Sequence, residues 1–349
     1  MSEGSNQSQT KTPPMSPESK PKGQRQKDVD DSGRFGRKQS DKKIEATQIR
    51  TVLETFMSKE KTGLNRFYKD ENLPEELVMR ATTMASELID LGCTRELAQS
   101  LAILNLYDLA ILLDDSLSMV TEEEGKRLSA LETTLEIVAQ VYTLTREDGI
   151  GTIDFLNEPD GFADVVDTEI AEIIKDHSYS GWTRIGTELE AKILNELVTD
   201  DMKKPLLVLV ITDGDIEGER DGVIASVIGK CIKDQQTKFP NHAAHAVAFQ
   251  FAKVGNDIGA ENLLEAIDNH KVIGDYVDRL PVGIEAISDL ALKWEVLAKM
   301  LLGGIVRSFD KADTPAAQQT AEIEAPDKAA RKRVSKAAQR AKQPPSAAA

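Results

Sequence analysis

Apolar residues recur every three or four positions through Ile49, Val52, Leu53, Phe56 and Met57, and again after Pro74 through Leu77, Met84, Leu88 and Leu91 up to Gly92. That spacing predicts two amphipathic helices, and a third short one is expected over 95–104. Residues 44–105 therefore read as a helical extension with apolar faces. From Tyr107 the pattern changes to short apolar runs alternating with longer amphipathic stretches. It predicts strands over 108–113, 151–155, 206–212 and 245–252, with a weaker one over 275–279. Helices are predicted over 126–142, 187–197, 223–238, 261–269 and 285–303. The run Leu207-Val208-Leu209-Val210-Ile211 has no polar alternation, so both its faces should be buried. The expected class for 106–309 is α/β: a doubly wound, mostly parallel sheet flanked by helices.

Charge divides the chain in the same places. Its 349 residues carry a net −16, yet residues 1–43 hold ten Lys and Arg against six Asp and Glu, and residues 310–349 hold eight against five. The middle, 44–309, thus carries −23. Both termini lack periodic apolar residues, so they are expected to be disordered basic tails, unable to offset chain entropy by burial. An acidic body disfavours nucleic acid as its ligand and leaves that partner to the tails alone. The first 30 residues have no apolar stretch of the kind a secretion signal needs, and no run approaches the ~18 apolar residues of a membrane span. Two cysteines, Cys93 and Cys231, are too few for a disulfide scaffold. The expectation is a soluble intracellular protein, cytoplasmic, with nuclear import through the basic C-terminal cluster Arg331, Lys332, Arg333 and Lys336 as the alternative.

In open α/β sheets ligands bind beyond the carboxyl ends of the strands, and the residues expected there carry chemistry. The first strand runs into Asp114-Asp115-Ser116-Leu117-Ser118-Met119, a carboxylate with hydroxyls two and four positions on. The strand over 206–212 ends in Thr212-Asp213-Gly214. Between them lies Gly181-Trp182-Thr183-Arg184-Ile185-Gly186-Thr187, with a third hydroxyl before a helix. Oxygen donors of this kind suit a hard, six-coordinate cation, Mg²⁺ first and Mn²⁺ next. Asp115 is expected to face solvent.

From Asn105 to Phe309 the element order and these motifs resemble the von Willebrand factor A domain family, whose metal-ion-dependent adhesion site combines Asp-x-Ser-x-Ser, a loop threonine and an Asp after a buried strand. The resemblance implies metal binding at Asp114, Ser116, Ser118, Thr183 and Asp213. Ser116 and Ser118 would be direct ligands, Thr183 would bind directly or through water, and the two aspartates would act largely through bound water. Asp148-Gly149 and Phe155-Leu156-Asn157 also look like intracellular members of the family in fungi and other eukaryotes. One departure is Leu117, where the family usually has Gly. A leucine there either strains the turn or caps the site with an apolar side chain, and Trp182 should lie at the same mouth.

Catalysis is not expected. The four histidines, His177, His242, His245 and His270, fall in no nucleophile-and-base spacing, and His177 reads as a surface loop residue. There is no phosphate loop, and Gly149-Ile150-Gly151 precedes its strand instead of following it. The functional expectation is an intracellular protein-interaction module whose Mg²⁺ or Mn²⁺ captures an Asp or Glu of a partner protein. The alternatives are a non-catalytic A-domain subunit of an AAA+ chelatase or chaperone assembly, and a scaffold with a degenerate metal site.

Overall fold

The computed structural model describes residues 44–59, 62–68, 73–214, 216–239 and 246–310. Of the basic tails expected to be disordered, 1–43 lies outside the described residues, as do His242 and His245, and so does 310–349 except for Asp310, which ends a short helix, Arg307–Asp310.

Among the described residues six strands form one sheet in the order β3-β2-β1-β4-β5-β6. They are β1 (Asp108–Leu113), β2 (Ile150–Phe155), β3 (Phe162–Val165), β4 (Leu206–Thr212), β5 (Val247–Lys253) and β6 (Val277–Gly283). Only β3 runs antiparallel, against β2; every other pairing is parallel. Central β1 and β4 lie in register from Asp108 opposite Leu206 to Leu113 opposite Ile211. The carboxyl ends that carry Asp114 and Asp213 are therefore side by side.

The eight longer helices are α1 (Ala46–Lys59), α2 (Glu75–Asp90), α3 (Arg95–Leu101), α4 (Lys126–Thr143), α5 (Asp167–Asp176), α6 (Val223–Lys238), α7 (Ile258–Asp268) and α8 (Lys293–Leu302). A further helical run comprises Ile185–Glu188, a π-helical stretch Leu189–Leu194 and Asn195–Leu197. Alternate strand residues face opposite ways, and β4 shows the result. Leu207, Leu209 and Ile211 join a core with α1 to α5 and α8, while Leu206, Val208 and Val210 join another with the 185–197 run, α6 and α7. The doubly wound α/β class holds.

The helices before β1 are built into the first of these cores. Ile49, Leu53, Phe56, Met84, Leu88 and Leu101 pack in one cluster with Leu109 and Ile111 of β1. Tyr68 Oη donates to the Leu106 carbonyl at 2.5 Å, and Tyr142 Oη of α4 to that of Tyr107 at 3.0 Å.

Three local expectations change. Strand β3 and helix α5 were not foreseen. The strand is short, with three of its four residues exposed, so no alternation marks it. The helix buries only Ile170 and Ile174, and its start is fixed by a Glu169 carboxylate accepting from Val166 N at 3.0 Å. The helix expected over 285–303 is instead a 3-10 turn, Ile284–Ser288, and then α8. Asp289 separates them: its carboxylate accepts from Ala291 N at 2.9 Å, the local competition by which Asp interrupts helices. No described helix is long and apolar enough to cross a membrane.

Candidate metal centre

Strand β1 delivers Asp114 to the sheet edge, where the chain turns into a one-turn helix, Ser118–Thr121. The Asp114 carboxylate is 1% exposed. Its Oδ1 accepts from Ser116 N at 2.9 Å and its Oδ2 from Thr212 Oγ1 at 2.6 Å, so it both folds the turn and ties β1 to the end of β4. Ser116 Oγ and Ser118 Oγ lie 3.0 Å apart. From β4, Asp213 directs Oδ1 to Ser118 Oγ at 3.0 Å and to Ser116 Oγ at 3.5 Å. Burial lifts both aspartates above the usual carboxylate range. For Asp114 the hydrogen bonds from Thr212 and Ser116 oppose it; for Asp213 the neighbouring Asp114 adds to it, while Ser118 and Arg127 oppose it.

Four of the five expected site residues are therefore joined in one network. Thr183, the fifth, is buried on the adjacent loop. Its carbonyl accepts from Glu217 N at 3.2 Å, but no side-chain hydrogen bond links it to the two serines or to Asp213. The loop is held firmly. The Glu219 carboxylate accepts from Gly186 N, Thr187 N and Thr187 Oγ1 at 2.7–2.9 Å, capping the following helical run. Gly218 packs so closely that an added β-carbon would come within 2.9 Å of Trp182 Cβ, and its φ of +80 also demands glycine.

Leu117 sits in ordinary right-handed helical backbone, φ −61 and ψ −29, so it does not strain the turn. Its side chain is 56% exposed and that of Trp182 57%. Asp115, expected in solvent, is fully buried instead. Its Oδ1 accepts from Asn157 N at 3.0 Å and Asn157 Nδ2 at 2.7 Å, and its Oδ2 pairs with His177 Nε2 at 2.9 Å. His177 is likewise no surface residue. Its ring stacks on Phe155 with centroids 3.6 Å apart, and its side chain is 4% exposed. Asn157 Oδ1 in turn accepts from Trp182 N at 3.0 Å, so Asp115 braces the threonine loop from behind. The adjacent aspartates, just past the end of β1, take different partners, Asp114 the serine turn and Thr212, Asp115 Asn157 and His177, which the doublet alone did not disclose.

The residue that sequence reasoning missed is Arg127, at the start of α4. Its side chain is 3% exposed, and its Nη1 donates to Asp213 Oδ2 at 2.5 Å. Glu122 and Glu123 take up the rest of the guanidinium: Nη2 lies 2.7 Å from Glu122 Oε2 and 3.1 Å from Glu123 Oε1. Fourteen positions separate Arg127 from Leu113, the last residue of β1, and no spacing rule connects an arginine there to an aspartate on another strand.

Among the described residues no group of three His, Cys, Asp or Glu side chains is placed to hold a metal ion. A cation here would depend on the hydroxyls. Six-coordinate Mg²⁺ with bonds of 2.0–2.1 Å separates neighbouring ligand oxygens by about 3.0 Å. The serine hydroxyls, 3.0 Å apart, match two neighbouring ligand positions of that octahedron; Asp213 Oδ1 lies 3.0 Å from Ser118 Oγ and, wider than an octahedral edge, 3.5 Å from Ser116 Oγ. The donor set fits the ion.

No protein-family model matches the chain, and no curated protein does. Solved structures similar to parts of it include proximal thread matrix protein 1 from the mussel byssus, in two structures. They show 16% and 15% identity and TM-scores of 0.37 and 0.38, with 56% and 55% of this chain and 47% and 46% of that one covered. Another is von Willebrand factor type A from Catenulispora acidiphila, at 16% identity and a TM-score of 0.36, with 57% and 42% covered. The chain thus spans less than half the length of each of these structures, and likenesses at these scores carry no weight in assigning it an activity.

Proposed function

We propose that the chain is an intracellular protein-interaction module that binds Mg²⁺, or Mn²⁺, and captures an acidic residue of a partner protein. Ser116 and Ser118 would hold the ion directly, Thr183 directly or through water, and Asp114 and Asp213 chiefly through bound water. The observation that supports this reading is the convergence of the two serine hydroxyls, 3.0 Å apart as neighbouring ligands of a six-coordinate ion would be, beside the Asp213 carboxylate. When bound, the ion would supply a positive centre with room for an anionic oxygen. The chain's own contribution is to hold the hydroxyls in place through Asp114 and to flank the opening with exposed Leu117 and Trp182. Aromatic side chains are favoured anchors at interfaces.

A second reading, a scaffold whose metal site is degenerate, is favoured by one contact: the Arg127 guanidinium already places a positive charge on Asp213. Calorimetric titration of the full chain with Mg²⁺ and Mn²⁺ separates the two. The metal-site reading expects saturable binding, weakened tenfold or more by Asp114→Ala and by Ser116→Ala, and partner capture that EDTA abolishes. Absence of binding at millimolar metal, with capture indifferent to EDTA, would leave the scaffold.

A further inference from the structure

Both oxygens of each aspartate at this centre are already engaged, and Arg127 is the reason for one of them. Asp213 gives Oδ1 to the serine hydroxyls, while Oδ2 is held by Arg127 Nη1 at 2.5 Å. Asp114 likewise spends Oδ1 on Ser116 N and Oδ2 on Thr212 Oγ1. The guanidinium cannot easily turn away. Its Nε and Nη2 are bound by Glu123, its Nη2 also by Glu122, and Glu123 Oε1 is fixed further by Asn256 N at 3.0 Å. Gly255 lies against it so tightly that an added β-carbon would come within 2.5 Å of Nε. Just ahead of Arg127 the chain takes left-handed backbone at Glu123, Glu124 and Gly125, with φ of +54, +57 and +79. Such conformations are costly for residues other than glycine.

Divalent cations differ in what they ask of a carboxylate. Ca²⁺ takes six to eight oxygens at about 2.3–2.6 Å and commonly grips a carboxylate by both, whereas Mg²⁺ accepts six at 2.0–2.1 Å and takes them singly. We propose that Arg127 is a positioning residue that sets which cation the centre takes: by holding Asp213 Oδ2 it restricts Asp213 to one oxygen, favouring Mg²⁺ and Mn²⁺ and excluding Ca²⁺. This rests on the metal-binding reading above. It holds whether Oδ1 meets the ion itself or through a water, because in either case Oδ2 is withheld. The surrounding carboxylates keep the arginine charged and aimed, a role its planar fork fills better than a lysine ammonium.

The test is calorimetric titration of the full-length chain with Mg²⁺, Mn²⁺ and Ca²⁺, for wild type, Arg127→Gln and Arg127→Lys, with circular dichroism to verify folding. Wild type should prefer Mg²⁺ to Ca²⁺ by at least tenfold. Arg127→Gln should narrow that ratio by tenfold or more, and Arg127→Lys, which keeps the charge but loses the fork, should narrow it by less. If the glutamine variant does not fold, the lysine variant decides, and an unchanged ratio in it overturns the inference. A folded Arg127→Gln protein that binds Mg²⁺ with the wild-type ratio overturns the inference and leaves the metal-binding reading standing. Failure of every form, wild type included, to bind any of the three ions overturns both.

Discussion

At the scale of single residues, Asp115 and His177 explain why the loops of the centre keep their places. One buried carboxylate satisfies the backbone and side-chain amides of Asn157 and a ring nitrogen of His177, and Asn157 passes the restraint on to Trp182. Removing the acceptor leaves the half-buried Asn157 donors and the enclosed His177 ring without it, at a cost of about 1–3 kcal/mol for a buried group left unpaired. Asp115→Ala should therefore lower stability by about 3 kcal/mol in urea denaturation, and Asp115→Asn, which keeps one acceptor, by less than half of that. Equal losses in the two variants would mean that the site needs the charge and not the acceptor. Cys93 and Cys231 illustrate the opposite case of inert burial. Both thiols are pushed up to about 12, chiefly by desolvation, with Glu295 and Asp234 adding to it respectively.

At the scale of elements, the helices ahead of β1 are the distinctive part of the architecture. Their buried residues join the core cluster that contains Leu109, Ile111, Leu207 and Leu209 of the sheet, and Phe56 of α1 lies against Tyr107 with ring centroids 6.4 Å apart. A cavity made in α1 should thus be felt in the sheet. Leu53→Ala, at a fully buried position, is expected to cost about 2–5 kcal/mol. Hydrogen exchange supplies the check: amides of β1 and β4 should exchange faster in the variant, by the factor that the stability loss implies. Faster exchange confined to α1 and α2 would show that the helices unfold on their own. Helix α8 is secured differently, by a buried polar network. Lys299 Nζ bonds Asp278 Oδ1 of β6 at 2.5 Å and the Phe309 carbonyl at 2.8 Å, and Gln250 Nε2 of β5 bonds Asp278 Oδ2 at 2.8 Å.

That network has a consequence for the whole molecule, because it makes stability depend on pH. Burial lifts the Asp278 carboxyl to about 7, although the Lys299 charge and the Lys299 and Gln250 hydrogen bonds pull it back. An unfolded aspartate titrates near 3.9. Between these values the folded state binds more protons than the unfolded chain, so the contribution of Asp278 falls as pH rises from about 4 to about 7, with a limiting slope of about 1.4 kcal/mol per pH unit. Denaturation across that range should show this decline, and Asp278→Asn should flatten it even while lowering stability overall through the unpaired Lys299; an unaltered slope would place the titration elsewhere. The periodicity of the sequence was enough for β1, β4, α6 and the doubly wound class, because long apolar runs and helical spacing report burial directly. The ends of the parallel strands, where ligands meet such sheets, also pointed to Asp114, Ser116, Ser118 and Asp213, which the structure joins in one hydrogen-bonded network, and to Thr183, which it does not. What it could not determine was anything that depends on pairing between distant segments. The edge strand β3, the break at Asp289, the inward turn of Asp115 onto His177, and the union of the helical extension with the sheet in one core were decided by tertiary packing. Arg127 is the clearest instance: its role exists only because β4 brings Asp213 to the start of α4, and no local pattern encodes a contact made across 86 positions of chain.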